Sequence, residues 1–193
     1  DYSYELGFVR RNFGIDSNNY GRLVAVGTHR LGFTEKFTGE VHGELLDNQQ
    51  TVGMGGMFLS PVVGEISGSL AVSHSEKGVG RLLGLRFQRQ SGNLSVSANT
   101  QITSKRFTKL GLQLEDFAPK HISQMIVNLS TVDHGSFAAT YTQQAYRDRE
   151  EDKIIKGSYT RKVGRRGILS ASVTKLLSED AKTIFNLNFS MSL

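Results

Sequence analysis

Apolar and polar residues alternate with a period of two along most of this chain, and this pattern constrains the fold more than any other feature. The pattern is clearest over residues 37–45, 66–73, 83–88, 94–102 and 184–193. Successive side chains of an extended strand point to opposite faces, so each run predicts a strand with one apolar and one polar face. Helical periodicity is nearly absent. The sequence therefore predicts an all-β protein.

Turn residues separate about twelve predicted strands of roughly nine to eleven residues, a length that crosses a bilayer at a tilt. Short turns, such as residues 92–93, alternate with longer and more charged connections. The longest connection, near residues 105–121, is predicted to hold an irregular segment in a lumen or at the surface. Residues 22–33 also form a predicted strand, but residues 23–26 are all apolar, so its apolar face is left open.

Composition narrows the classes of protein. Only 38% of the residues are hydrophobic, 21 are glycine and none is cysteine, so disulfides and thiolate metal sites are excluded. The net charge of +5 is spread along the chain without an RNA-binding aromatic signature or a recognition helix, so no nucleic-acid partner is predicted. The chain starts at Asp1 with no visible signal peptide, so a signal was removed or the sequence is an internal segment.

A soluble β-sandwich also alternates apolar and polar residues and is the main structural alternative. Three features favour a membrane barrel. The strands are longer than the usual five or six residues. The polar face is mostly Ser, Asn, Gln and Thr, and the apolar face carries many Gly and Ala. The prediction is an antiparallel up-and-down transmembrane β-barrel segment.

The alternation assigns a set of side chains to a water-filled lumen. His42 lies between Glu40 and Glu44 on one face; three such groups can bind a cation, but we interpret them as part of a charged lumen wall. The predicted lumen-facing residues are Glu40, His42, Glu44, Ser67, Ser69, Arg86, Gln88, Asn99, Gln101, Asn186 and Asn188.

The remaining motifs predict no chemistry. The acidic run at residues 148–152 lacks EF-hand spacing. Glycines at residues 53–56 are followed by no helix and form no dinucleotide fingerprint. Gly78 and Gly80 are interpreted as a turn. We expect no catalytic residues, no metal site, no cofactor and no enzymatic activity.

Several stretches resemble the barrel of fimbrial ushers. The opening, residues 1–11, is similar to the strand that follows the usher plug domain. Residues 18–40 resemble an usher strand, hairpin and strand, and residues 53–75 resemble two strands joined by a glycine turn. Residues 135–141 and 159–164 are most similar to archaic chaperone–usher proteins. Position 39 is glycine, where many ushers carry leucine.

The resemblance implies that residues 1–193 are a partial barrel, because the periplasmic N-terminal, plug and C-terminal domains of an usher are not found here. About twelve strands close into a ring roughly 24 Å across, and twice that number into one of nearly 50 Å. Only the larger ring would pass an immunoglobulin-sized subunit. This chain is therefore expected to be part of a barrel of about 24 strands.

The implied function is outer-membrane export and assembly of pilus subunits. The implied partners are periplasmic chaperone–subunit complexes, pilus subunits in transit and outer-membrane lipid. The resemblance implies that subunit folding and strand exchange drive export without ATP. Two alternatives stay open: a passive porin-like channel, and a soluble β-sandwich binding module.

Overall fold

The computed structural model describes residues 1–10, 18–112, 117–164, 166–177 and 181–191, and these residues form strands and connections with no helix. The strands are 9 to 14 residues long. Their bounds are β1 Tyr2–Arg10, β2 Tyr20–Gly32, β3 Phe37–Leu46, β4 Gln49–Ser60, β5 Gly64–Ser75, β6 Gly78–Ser91, β7 Leu94–Thr103, β8 His121–Thr131, β9 Gly135–Ala145, β10 Asp152–Val163, β11 Gly167–Leu176 and β12 Thr183–Met191.

The strands form one sheet in which each strand pairs with the next along the chain, from β1 at one edge to β12 at the other. Neighbouring strands run antiparallel. This arrangement confirms the predicted all-β, up-and-down architecture and the count of about twelve strands. The turn predicted to include Gly80 is wrong, because β6 begins at Gly78 and only residues 76–77 form the connection.

The connections differ between the two ends of the strands. At one end, the short-turn end, all are brief: residues 33–36, 61–63, 92–93, 132–134 and 164–166. At the other, the long-loop end, they are residues 11–19, 47–48, 76–77, 104–120, 146–151 and 177–182. The predicted alternation of short and long connections is therefore correct at the short-turn end, whereas the long-loop end also has two two-residue turns. The turn predicted at residues 178–180 lies outside the described residues.

The chain divides into two compact units. Unit 1 comprises residues 1–60, 67–85 and 102–118, and unit 2 comprises residues 61–66, 86–101 and 119–193. In unit 1, Ala25 pairs with Leu6 on one side and with Leu45 on the other. Paired residues of antiparallel strands point to the same face, so this register puts Ala25 on the apolar face of β2.

The apolar face of each unit is exposed. In unit 1, Leu6 is 76% and Met54 is 63% exposed, and in unit 2, Phe185 is 77% and Leu187 is 75% exposed. A β-sandwich would bury such residues against a second sheet, but the described strands form a single sheet and leave this face open. The sandwich alternative is therefore wrong. Among the described residues, no helix is long and apolar enough to cross a membrane.

Candidate functional site

The polar face of unit 1 carries an ordered row of side-chain contacts. Arg30 on β2 pairs with Glu40 on β3, with 2.7 Å between Nε and Oε2. His42 Nδ1 lies 2.8 Å from Thr28 Oγ1, and His42 Nε2 lies 3.2 Å from Glu44 Oε1. The predicted residues Glu40, His42 and Glu44 do share a face, but each contacts a protein partner. The described residues contain no group of three or more His, Asp or Glu side chains arranged to hold a metal ion.

Residues 104–112 of the longest connection, which we call the inserted segment, pack on this polar face. Three hydrogen bonds join the backbone of the segment to side chains on three strands. Leu110 N–H donates to Glu44 Oε2 at 2.6 Å, and Thr51 Oγ1 donates to the Thr108 carbonyl at 3.0 Å. Thr108 N–H donates to Ser73 Oγ at 2.9 Å. Of the irregular segment predicted near residues 105–121, the part up to residue 112 therefore lies over β3, β4 and β5, and residues 113–116 lie outside the described residues.

Gly80 makes the closest approach of the inserted segment possible. A Cβ atom at this position would overlap the backbone of Phe107, so a residue with a side chain cannot occupy it without moving the segment. The Phe107 side chain is 3% exposed. Glycine at position 80 thus serves close backbone packing on a strand, where sequence reasoning predicted a turn.

Most buried residues of the described chain cluster around the inserted segment, and Gly167 of unit 2 is the exception. Among the described residues, the buried ones other than glycine all belong to unit 1. They are Glu44, Leu46, Gln49, Thr51, Ser73, Ser75, Thr103, Phe107, Thr108 and Ala118. Seven of these ten are polar or charged, so the segment rests on a polar interface and not on a hydrophobic core.

Some buried side-chain atoms, one in the segment and two on β4, have no hydrogen-bond partner among the described residues. They are Gln49 Nε2, Gln49 Oε1 and Thr108 Oγ1, each fully shielded from solvent. A buried polar group without a partner costs about 1–3 kcal/mol. The packed position of the segment therefore gains hydrogen bonds to β3, β4 and β5, and another from Ser104 N–H to the Arg81 carbonyl of β6 at 2.8 Å. The three atoms without partners impose an opposing cost.

The other predicted lumen residues also fall on polar faces. In unit 1, Ser67 and Ser69 share a face of β5 with Ser73. In unit 2, Arg86 donates to Gln88 at 3.0 Å. The amides of Asn99 on β7 and Gln124 on β8 lie 3.4 Å apart, and Gln101 is on the same face of β7.

Asn186 and Asn188 lie on β12 opposite Ser172 and Ser170 of β11. The structure brings the eleven predicted residues together in small groups along the strands, and does not gather them at one centre. Their exposure to the water of a lumen stays a prediction.

Sequence reasoning missed the residues that hold the inserted segment. Thr51, Ser73, Phe107 and Thr108 belong to no motif, and their contacts join residues 35 to 66 positions apart. The only sequence signal was a polar residue at each of positions 44, 51 and 73, all on polar faces.

Solved structures of outer-membrane barrels are similar to this chain. The alignment with the P pilus usher (PapC) translocation pore covers 100% of this chain and 43% of the usher chain, with 16% identity and a TM-score of 0.69. The alignment with the Pseudomonas aeruginosa porin OccK5 (OpdH) covers 92% of this chain and 58% of the porin chain, with 16% identity and a TM-score of 0.59.

The alignment with a second Pseudomonas aeruginosa porin, OpdQ, covers 98% of this chain and 59% of the porin chain, with 14% identity and a TM-score of 0.54. No protein-family model matches the chain, and no curated protein matches its sequence. At these identities the likeness shows the fold alone. This chain has the fold of an outer-membrane β-barrel. It spans less than two thirds of each of these barrel proteins.

Proposed function

We propose that this chain is part of an outer-membrane usher that exports chaperone-delivered pilus subunits and templates fimbria assembly at the cell surface. The observation that carries the proposal is the two-faced sheet. One face of the long strands exposes large apolar side chains, and the other carries hydroxyls, amides and ion pairs. A wall of this kind meets hydrocarbon on one side and an aqueous passage on the other.

The solved structures similar to this chain include an usher and porins, and this likeness does not distinguish the two functions. The usher pore covers the whole chain at a TM-score of 0.69, and the two porins give 0.59 and 0.54. We place the usher first because residues 1–11 and 135–141 resemble usher strands.

Pore size sets a further condition on the proposal. Twelve strands alone would enclose a ring of roughly 24 Å at the backbone, too narrow for a folded immunoglobulin-sized subunit. The described chain spans 43% of the usher chain. We therefore propose that additional strands complete a barrel of about 24 strands, and that this chain supplies about half of the wall.

The polar face of unit 2 suits a surface past which folded subunits slide. Hydroxyls on adjacent strands contact one another, as Ser130 and Ser136 do at 3.1 Å and Thr160 and Ser170 do at 3.3 Å. Groups that already satisfy one another offer few strong bonds to passing cargo. The proposal includes no chemical step on the cargo, and subunit folding and strand exchange would supply the driving force.

The inserted segment favours a second candidate, a passive porin-like channel. A segment that packs across the polar face of β3, β4 and β5 narrows any passage lined by that face. In a channel for small solutes, such a narrowing would select by size and charge. In an usher, the segment would have to stay beside the path of the subunits or leave the wall.

One pair of measurements separates the two candidates. The gene for the full-length protein is disrupted in cells that produce the chaperone and pilus subunits, and surface subunits are quantified with antibodies. The purified protein is also tested in liposomes for permeability to small sugars. Loss of surface subunits, restored by the full-length gene, with liposomes that stay impermeable supports the usher. Unchanged surface subunits with permeable liposomes would overturn the usher in favour of the porin.

A further inference from the structure

The apolar face of unit 2 contains a groove of about 700 Å³. Two adjacent rows of paired residues build it across β8 to β12. One row runs through Val127, Ala139, Gly157, Val173 and Phe185, and the other through Leu129, Phe137, Tyr159, Ala171 and Leu187. The small residues at 139, 157 and 171 make the depression, and the aromatic rings of Phe137, Tyr159 and Phe185 rise beside it.

A cation stands at each end of this groove. Lys175 lies on the same face as Val173, one row towards the long-loop end, and pairs across the sheet with Ile155. Arg161 lies one row beyond Tyr159, towards the short-turn end. Neither side chain has an ion-pair or hydrogen-bond partner within the described part of the chain. About six residues along β10 separate the two rows, roughly 20 Å at the rise of a strand.

The two ends differ in the polar groups around the cation. At the long-loop end, the same face carries a polar belt, defined as Thr100, His121, Ser123, Gln143, Glu151, Lys153 and Lys175. Within the belt, Thr100 Oγ1 lies 2.9 Å from Ser123 Oγ, and Gln143 Nε2 donates to Glu151 Oε2 at 2.8 Å. At the short-turn end, Arg161 is followed by Leu169 and Phe189 in its row. A ligand with a polar head is therefore oriented with its head at the belt.

We propose that this groove binds an acyl chain of a phosphorylated glycolipid, with a phosphate of the lipid at Lys175. The groove supplies apolar contact for one chain, and the exposed ammonium of Lys175, which has no partner among the described residues, supplies the opposite charge for a phosphate. The belt places polar side chains beside the sugar head of the lipid, where the apolar rows end. The site rests on the proposed outer-membrane location, but it goes beyond pilus export and is independent of any cargo.

Two variants and a matched control test the site. Lys175→Gln removes the exposed cation and keeps the strand. Gly157→Leu fills the groove, and the structure has room for it because an added Cβ would meet only Val173, at an ordinary 3.5 Å. Gly43→Leu is the control, since it adds the same side chain to the apolar face of unit 1, where nothing lies within 4 Å of an added Cβ.

Binding is measured by native mass spectrometry of the full-length protein in detergent, titrated with diphosphoryl lipid A, dephosphorylated lipid A or phosphatidylglycerol. Diphosphoryl lipid A should bind best. Lys175→Gln should weaken it about fivefold, the contribution of one interfacial cation. Gly157→Leu should weaken it at least about tenfold, because a chain excluded from the groove loses the burial of several methylenes. The Gly43→Leu protein should bind like wild type.

Equal lipid A binding by wild type, Lys175→Gln and Gly157→Leu would overturn the site. Binding of phosphatidylglycerol as tight as that of diphosphoryl lipid A would overturn the glycolipid assignment. Because the titration involves no transport, its result is independent of the subunit-export assay, and either proposal can fail while the other stands.

Discussion

The polar faces of the two units have the same residue types, but one is covered by another part of the chain and the other is exposed. In unit 1, the face of β3 to β5 is covered by the inserted segment, and Ser73 and Thr51 are 0% and 4% exposed. In unit 2, the matching face of β11 and β12 has no buried residue among those described, and Asn186 and Asn188 are exposed. The comparison teaches that alternation determines which face is polar, while long-range contacts determine whether that face is open or covered.

The largest effect is expected from Gly80→Val, which puts a side chain where the backbone of Phe107 passes. Overpacking typically costs about 1–3 kcal/mol and can cost more, and here the overlap is with backbone atoms, so the inserted segment should leave the face. Trypsin cleavage after Lys105 or Arg106 should become at least about tenfold faster. Gly43→Val, at an open position, is the control. Equal cleavage rates in both variants would mean that the segment is not held by this contact.

Glu44→Ala tests the charged anchor of the segment and should have the next largest effect. Its loss leaves the Leu110 N–H without its acceptor, and hydrogen bonds to charged groups contribute about 1.5–3 kcal/mol. The thermal unfolding midpoint should fall and cleavage in the segment should rise. Asn186→Ala on the open face should change the free energy of unfolding by less than about 0.5 kcal/mol. If the two variants change the free energy of unfolding by the same amount, the covered face contributes no more to stability than the open face does.

Gln49→Leu should change stability in the opposite direction. The Gln49 side chain is 1% exposed, and neither polar atom of its amide has a partner. An apolar side chain of similar size removes that cost, so the protein should gain about 1 kcal/mol. Differential scanning calorimetry measures the change. A lower midpoint would indicate that the amide is satisfied in solution, and the covered face would then be better bonded than the structure indicates.

The smallest effect is expected at Glu151, in the connection between β9 and β10 of unit 2. Hydrogen bonds from Lys153 and then from Gln143 lower the pKa of this exposed carboxyl. A lowered pKa in the folded state stabilises the protein above the unfolded pKa of about 4.3, and this stabilisation is lost as the pH falls through the folded value. Wild type should therefore unfold at a slightly higher temperature than Glu151→Gln at pH 7, and the gap should close on acidification. A gap that widens in acid would contradict this sign.

The fold could be predicted from the sequence because each strand carries its own evidence. Val41, Leu45 and their polar neighbours alternate within ten residues, and no distant contact is needed to assign their faces. At residues 23–26 this local evidence fails, since four apolar residues follow one another. Only the pairing of Ala25 with Leu6 and Leu45 decides the face of β2.

The covered site could not be predicted because its contacts are distant and involve the backbone. Leu110 and Glu44 are 66 positions apart, and their hydrogen bond uses a backbone N–H that every residue except proline possesses. No residue type at position 110 could therefore have predicted this contact. Gly80 was assigned to a turn because glycine is common in turns, whereas the requirement here comes from Phe107. The grouping of Glu40, His42 and Glu44 was predicted. Their partners Arg30 and Thr28 were not, because the sequence did not decide which face of β2 is polar.

The strands bind the inserted segment through its backbone, by hydrogen bonds to the N–H groups of Thr108 and Leu110 and to the carbonyl oxygen of Thr108. Backbone hydrogen bonds do not depend on side-chain identity, so an exposed position of the segment such as Lys109 can change without loss of these three bonds, whereas Phe107 and Thr108 are buried. The surface that this segment presents can therefore vary at its exposed positions while the strands beneath it stay unchanged.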